Sequence, residues 1–167
     1  APCLYRVHEP PSQDRLEKAR ATLAPFGVTL PGGDSPTPGD YAKVLESIAD
    51  RPDKAMIQTI LLRSMQQAVY SPHNVGHFGL AYDAYTHFTS PIRRYPDLLV
   101  HRAIRGILRR RKYVPKILVE PNEAEVPVQT REIICKAKPD DKKKVAHIDL
   151  WEKLGLLCSA HERRADE

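Results

Sequence analysis

Apolar residues recur with helical spacing over most of the chain. After an extended entry closed by Pro10-Pro11, Leu16, Ala19 and Leu23 fall at i, i+3 and i+7 behind Ser12 and Asp14. Either polar residue can cap a helix that ends near Pro25 and Gly27. Residues 28–39 hold three prolines and three glycines and read as a loop. A second helix is predicted from about Asp40, with Tyr41, Val44, Leu45 and Ile48 on one face, broken at Arg51-Pro52-Asp53. A third is predicted over about 53–70, capped by Asp53. Its spine is Ile57, Leu61, Met65 and Val69, widened by Ile60 and Ala68.

The period then changes. In Gly76–Asp83, Phe78, Leu80 and Tyr82 alternate with His77, Gly79 and Ala81, which predicts a short strand. Ser90-Pro91 reads as a helix start, with serine as cap and proline at the first position. That helix runs to about Leu108, and Pro96 in its second turn implies a bend or a late start. Residues 113–141 look strand-like in patches at Lys116–Val119, Val126–Gln129 and Ile133–Cys135. Asp140-Asp141-Lys142-Lys143-Lys144 reads as a solvated charge run. A last helix, about 145–165, places Ile148, Trp151, Leu154, Cys158 and His161 on one face. The fold class is therefore α+β, mainly helical, with one or a few short strands.

Composition narrows the possibilities. The chain has 167 residues, 41% apolar and 28% charged, enough for one core and not a highly charged disordered tail. Its 15 prolines predict short elements. No apolar run approaches the roughly 18 residues of a membrane span, so no membrane partner is expected. Cys3, Cys135 and Cys158 are odd in number and widely spaced, which argues against a disulfide framework or zinc module and for a reducing, cytoplasmic setting. The chain starts at Ala1 without methionine and stops within the charged string Glu162–Glu167, as a piece of something longer would.

Charge is local. Nine basic residues and one acid lie between Arg93 and Lys116, a net +8 in a chain whose total is +5. On a helical wheel Leu99, Val100, Ala103, Ile104 and Ile107 share one side, while Arg94, Arg102, Arg105, Arg109 and Lys112 gather on the other. Such a helix can pack on a core and present arginines to phosphates; a plain solvated face fits the charge equally well. Just before it, Gly76–Asp97 is dense in polar and aromatic groups. A helix N-terminus with Thr89, Ser90 and Arg93 suits an anion. Tyr82, Tyr85, Phe88 and Tyr95 either stack bases or pack. His77, His87 and His101 lack any metal-ligand spacing, so no metal site is assigned. Asp97 is placed to pair with Arg94 or Arg102.

The stretch Thr86-His87-Phe88-Thr89-Ser90-Pro91-Ile92-Arg93-Arg94-Tyr95-Pro96-Asp97-Leu98-Leu99-Val100-His101-Arg102 resembles the signature of the RNB family of 3′→5′ exoribonucleases. Leu4–Pro11, Ala68–Pro72 before Gly76–Leu80, and Leu154-Gly155 with Cys158-Ser159 before Glu162–Glu167 agree better with its ribonuclease R branch than with ribonuclease II. Residues 113–145 match only loosely.

The resemblance implies processive hydrolysis of single-stranded RNA to nucleoside 5′-monophosphates, with magnesium held by closely spaced aspartates in the N-terminal half of the RNB domain. Nothing here resembles that cluster. Residues 1–167 are thus expected to be the C-terminal part of the catalytic domain, partnered by the remainder of that domain and by OB-fold RNA-binding domains. The resemblance makes Arg93 the catalytic residue, contacting the scissile phosphate. Ser90 and Arg94 support the phosphate path, and His77, Tyr85, Tyr95 and Arg102 are further RNA-binding candidates. The isolated chain is expected to be inactive and to expose apolar surface. A non-catalytic RNA-binding module that keeps the RNB scaffold is the alternative.

Overall fold

The computed structural model describes residues 3–137 and 146–166. They form two compact units, Ala1–Val7 with Ala68–His77 and Asp83–Glu167, and His8–Gln67 with Phe78–Tyr82. Six helices and one two-stranded sheet are present among the described residues, a mainly helical α+β chain.

The second unit is built from α1 (Gln13–Leu23), α2 (Pro38–Ser47) and α3 (Lys54–Ser64). The expected Leu16, Ala19 and Leu23 stripe is buried. Leu16 and Leu23 form one core with Leu30, Tyr41, Val44, Ile48, Ile57 and Leu61. Helix α2 starts at Pro38, close to the predicted Asp40, and Thr37 caps it. Its hydroxyl accepts the Asp40 N–H while the Asp40 carboxylate accepts the Thr37 N–H, a reciprocal box with Pro38 at the first helical position. These hydrogen bonds hold the Asp40 carboxyl below its usual pKa. Asp53 precedes α3 but makes no capping bond; Arg51 grips both its oxygens, at 2.9 and 2.7 Å.

Two expectations fail here for local reasons. Helix α3 stops at Ser64, because Met65 turns extended (ψ 152°) and Arg15 takes its carbonyl at 2.5 Å. The expected spine ran on to Val69 only because a buried strand residue fell in helical register. The strand expected over Gly76–Asp83 is instead a 3-10 turn, Phe78–Leu80. Its amides are taken by His8, whose carbonyl accepts from Phe78 and whose Nδ1 accepts from Gly79. Ala81 follows in the left-handed region (φ 55°), which no strand sustains.

The first unit is organised by β1 (Tyr5–Val7) and β2 (Val69–Ser71), antiparallel, with Arg6 opposite Tyr70. Helices α4 (Tyr95–Leu108), α5 (Val128–Lys136) and α6 (Ile148–Asp166) complete it. Leu4, Tyr70, Leu99, Ala103, Trp151, Leu154 and Cys158 form its main core. Val7, Val69 and Ile133 form a smaller one. Helix α6 crosses β2 closely at Gly155, where a Cβ would lie 2.8 Å from the Tyr70 carbonyl. One turn on, the Ser159 hydroxyl accepts the Tyr70 N–H at 3.0 Å.

Helix α4 begins at Tyr95, the late start that Pro96 allowed; Ser90–Arg93 is a turn and Arg94 the cap residue. Leu99, Val100 and Ala103 are buried as expected, whereas Ile104 and Ile107 are exposed. None of the three strand-like patches after residue 113 is a strand. Pro127 starts α5, and Thr130 and Ile133 are buried at helical spacing, so the β-branched composition misled. Lys116–Val119 has no strand partner, and Leu118 is 93% exposed. The Asp140–Lys144 charge run and the predicted start of the last helix lie outside the described residues. His161, predicted on the apolar face of that helix, is exposed.

Candidate functional site

Arg6 and Tyr70 face each other as a non-hydrogen-bonded pair, so their N–H groups point out of the ladder and their side chains lie close. The Tyr70 N–H goes to Ser159 and the Arg6 N–H to the Tyr85 carbonyl at 2.8 Å. The Arg6 guanidinium lies 4.6 Å from the Tyr70 ring centroid and pairs with Glu162 at 2.5 Å. Strand β1 thus carries a loop along its free edge.

That loop is tied down at every residue from Tyr85 to Ser90. Tyr85 accepts from Arg6. The Thr86 hydroxyl donates to the Leu4 carbonyl at 2.6 Å. His87 Nδ1 meets the Tyr70 hydroxyl at 2.9 Å. The Phe88 carbonyl accepts from His101 Nε2 at 2.8 Å, and its ring stacks on His101 with centroids 4.1 Å apart. The Thr89 hydroxyl faces Arg94 at 3.5 Å. The Ser90 N–H donates to Asp97 Oδ2 at 2.8 Å. Asp97 is fully buried, and the same oxygen takes Arg94 Nη2 at 2.9 Å and Nε at 3.2 Å.

Protonation states follow from burial. Burial pushes the Tyr70 phenol up to about 12. Burial, then the nearby Arg94 and Arg6 cations, bring His87 down to about 4. The imidazole that meets the Tyr70 hydroxyl is therefore neutral. Burial, with Glu162 adding to it, pushes the Cys158 thiol up to about 12, which leaves it inert.

The tethered loop delivers Arg93 to an open cavity of about 710 Å³. Arg93, Arg94 and Tyr95 line one side, Lys116 and Ile117 another, and Leu157 with His161 a third. Arg93 is exposed, and its guanidinium has no partner among the described residues. The other predicted site residues are arranged differently. Ser90 lies in the turn before Arg93. The amides of Ser90, Arg93 and Arg94 are engaged by Asp97 and by the Ser90 carbonyl, so the expected anion site at these backbone N–H groups does not exist. His77 and Tyr85 sit edge to face at 5.2 Å, and Tyr85 meets His87 at 5.7 Å. They line an aromatic chain behind the loop, not the cavity. Arg102 lies near the Tyr113 and Tyr95 side chains, which raise its pKa. Asp97 pairs with Arg94 and not with Arg102. Arg6, Tyr70 and Glu162 were not singled out as site residues, because only the fold brings positions 6, 70, 87 and 162 together.

The family model for the RNB domain matches residues 1–110. The chain belongs to the RNB family. Ribonuclease R of Buchnera aphidicola subsp. Schizaphis graminum is 46% identical over 168 residues, which cover 100% of this chain and 19% of that protein. The apo form of Mycoplasma genitalium RNase R matches with a TM-score of 0.65 and 26% identity, over 98% of this chain and 21% of that one. Yeast Ssd1, described as a pseudonuclease, matches with a TM-score of 0.57 and 28% identity, over 68% of this chain and 14% of that one. The chain thus spans about a quarter or less of the length of these relatives. Magnesium, which the family resemblance implies, has no fitting donor set here. Among the described residues no group of three or more His, Cys, Asp or Glu is placed to hold a metal ion.

Proposed function

We propose that this chain is the C-terminal part of the RNB domain of a processive 3′→5′ exoribonuclease, and that Arg93 contacts the scissile phosphate of single-stranded RNA. The observation that carries this reading is the contrast at the end of the loop. Six consecutive residues are each held by a hydrogen bond, and they end in a turn that presents an exposed, unpaired guanidinium to a cavity. A cation fixed before the reaction stabilises charge developing on phosphoryl oxygens without reorganising at that moment.

The neighbours take supporting roles. Asp97 aims Arg94, whose remaining N–H donors border the phosphate path beside Arg93. The Ser90 hydroxyl stands one turn before Arg93. Tyr95, 45% exposed on the cavity wall, offers a face for a base or ribose. Arg102 lies near Tyr95, and His77 and Tyr85 brace His87. The ligands for magnesium would come from the remainder of the domain.

The test is hydrolysis of a single-stranded oligoribonucleotide by the intact protein. Replacing one preorganised donor of this kind lowers kcat by roughly 100-fold or more. Arg93→Ala is expected to do so while keeping much of the RNA affinity; unchanged hydrolysis removes the assignment. The likeness to a pseudonuclease supports a second reading, a non-catalytic RNA-binding module. An aspartate cluster encoded upstream of residue 1, together with magnesium-dependent hydrolysis, decides for the enzyme; its loss decides for the module.

A further inference from the structure

The far end of α4 carries cations that neither the core nor the site above uses. Arg105, Arg109, Arg110, Arg111 and Lys112 are all exposed, and no ion-pair partner for them exists among the described residues. Arg102, Arg105 and Arg109 follow at i, i+3 and i+7, so they form one stripe down the helix.

The turn that ends α4 is a second, independent observation. The Arg111 N–H bonds the Gly106 carbonyl at 2.8 Å and the Arg110 N–H the Ile107 carbonyl at 2.9 Å. This is a Schellman cap, whose left-handed position favours glycine. Arg110 occupies that position with φ 53°. Gly106, inside the last turn of the helix, gives the returning chain room: a Cβ there would lie 3.0 Å from the Arg111 carbonyl and 3.1 Å from Tyr113 Cβ. The chain needs this reversal to bring Tyr113 against Trp151. The fold therefore explains the turn, but not a strained arginine at its crest, flanked by three further cations. One or two cations suffice to complement a helix C-terminus. Four side by side repel one another unless an anion joins them.

We propose that Arg105 and the Arg109–Lys112 turn form a second phosphate-backbone surface, which holds RNA several nucleotides away from Arg93. This rests on the reading of the chain as an RNA-handling RNB segment. The spacing sets its reach. Helix α4 has 14 residues and rises about 1.5 Å per residue, roughly 21 Å. A stacked strand advances about 3.4 Å per nucleotide, so roughly six nucleotides separate the two ends. Guanidiniums suit a strand whose sequence varies, because they grip phosphate oxygens in pairs and need no base contact.

The experiment uses the intact protein and equilibrium binding in EDTA, which separates it from hydrolysis. A tetranucleotide and a dodecanucleotide are titrated over a range of salt. Neutralising Arg109, Arg110, Arg111 and Lys112 to glutamine should weaken only the dodecamer. Its log–log salt slope should become shallower by roughly 0.7 for each lost contact, near 3 in all. Arg110→Gly, which relieves the left-handed arginine, should raise the melting temperature and still make the dodecamer slope shallower by roughly 0.7. Equal weakening of both RNAs, or no change in either, overturns the proposal, as does an Arg110→Gly protein that is more stable with an unchanged slope. Loss of binding to phosphatidylserine vesicles with RNA binding intact also overturns it and gives the patch to a lipid surface. Failure of Arg93→Ala to slow hydrolysis leaves these slopes untouched, so the two readings fail separately.

Discussion

Asp97 holds Arg94 through two nitrogens on a single carboxylate oxygen, Nη2 at 2.9 Å and Nε at 3.2 Å. The same oxygen takes the Ser90 N–H, so one buried carboxylate fixes both the turn before Arg93 and the arginine after it. Removing one member of a buried pair leaves the other charged and unsatisfied, at a cost of about 3 kcal/mol. Asp97→Ala should therefore lower the unfolding free energy of the intact protein by about that amount in urea titrations. Asp97→Asn should cost less, because an amide oxygen still accepts the Ser90 N–H. Wild-type stability for both variants would show that the carboxylate does not organise the loop.

The burial of Tyr70 and His87 predicts how stability depends on pH. The His87 pKa of about 4 lies below the ~6.5 of an unfolded imidazole. Between those values the unfolded chain binds a proton that the folded chain refuses, so stability falls as pH drops from about 6.5 to about 4. Tyr70 acts on the other flank. With its phenol at about 12 when folded and ~10 when unfolded, stability falls as pH rises past about 10. His87→Gln should flatten the acid arm and Tyr70→Phe the alkaline one. Melting temperatures measured across pH would reveal an arm that persists in its variant.

How much of this was legible in the sequence depends on what each residue's role rests on. The α1 stripe of Leu16, Ala19 and Leu23, and the late start of α4, follow from spacing and a single proline, which act locally. The 86–102 signature pointed to Arg93 and to its family without a fold. The end of α3 was hidden, because Val69 satisfies helical periodicity and strand pairing alike, and only β1, more than 60 positions away, decides between them. The scaffold of the site was equally hidden. Arg6, Tyr70 and Glu162 are ordinary residues until the β1–β2 register brings them together. In the sequence Arg110 is one cation among several, since its strain belongs to a turn that Gly106 and Tyr113 define.

Where α6 crosses β2, glycine is a packing requirement. A Cβ on Gly155 would lie 2.8 Å from the Tyr70 carbonyl, a backbone atom that cannot swing aside. Gly155→Ala should destabilise the protein by about 1–3 kcal/mol, the range for overpacking. Ser159→Ala leaves the buried Tyr70 N–H without its partner and should cost a similar amount. Both act on the strand that holds His87, so kcat for RNA hydrolysis should fall in each. A stable Gly155→Ala protein with normal turnover would mean that α6 is free to move off β2.

The isolated chain is expected to bind RNA and to leave it intact. Binding requires cations, and the described residues present Arg93, Lys116 and the Arg105–Lys112 series to solvent. Hydrolysis also requires a nucleophile and a charged clamp on the leaving oxygen, which divalent metals supply in two-metal sites. Among the described residues no carboxylate cluster is placed to hold such an ion. Of the carboxylates near Arg93, Asp97 is already committed to Arg94 and Ser90, and Glu162, on the cavity wall, to Arg6. Pure 167-residue chain should therefore retard a dodecanucleotide at low salt and release no mononucleotide when magnesium is added. Circular dichroism of the same sample shows whether the helices are formed, which separates an unfolded chain from a folded, inactive one. Magnesium-dependent release of nucleoside 5′-monophosphate by folded chain would place the catalytic metal ligands within these residues and overturn the division of labour proposed for Arg93.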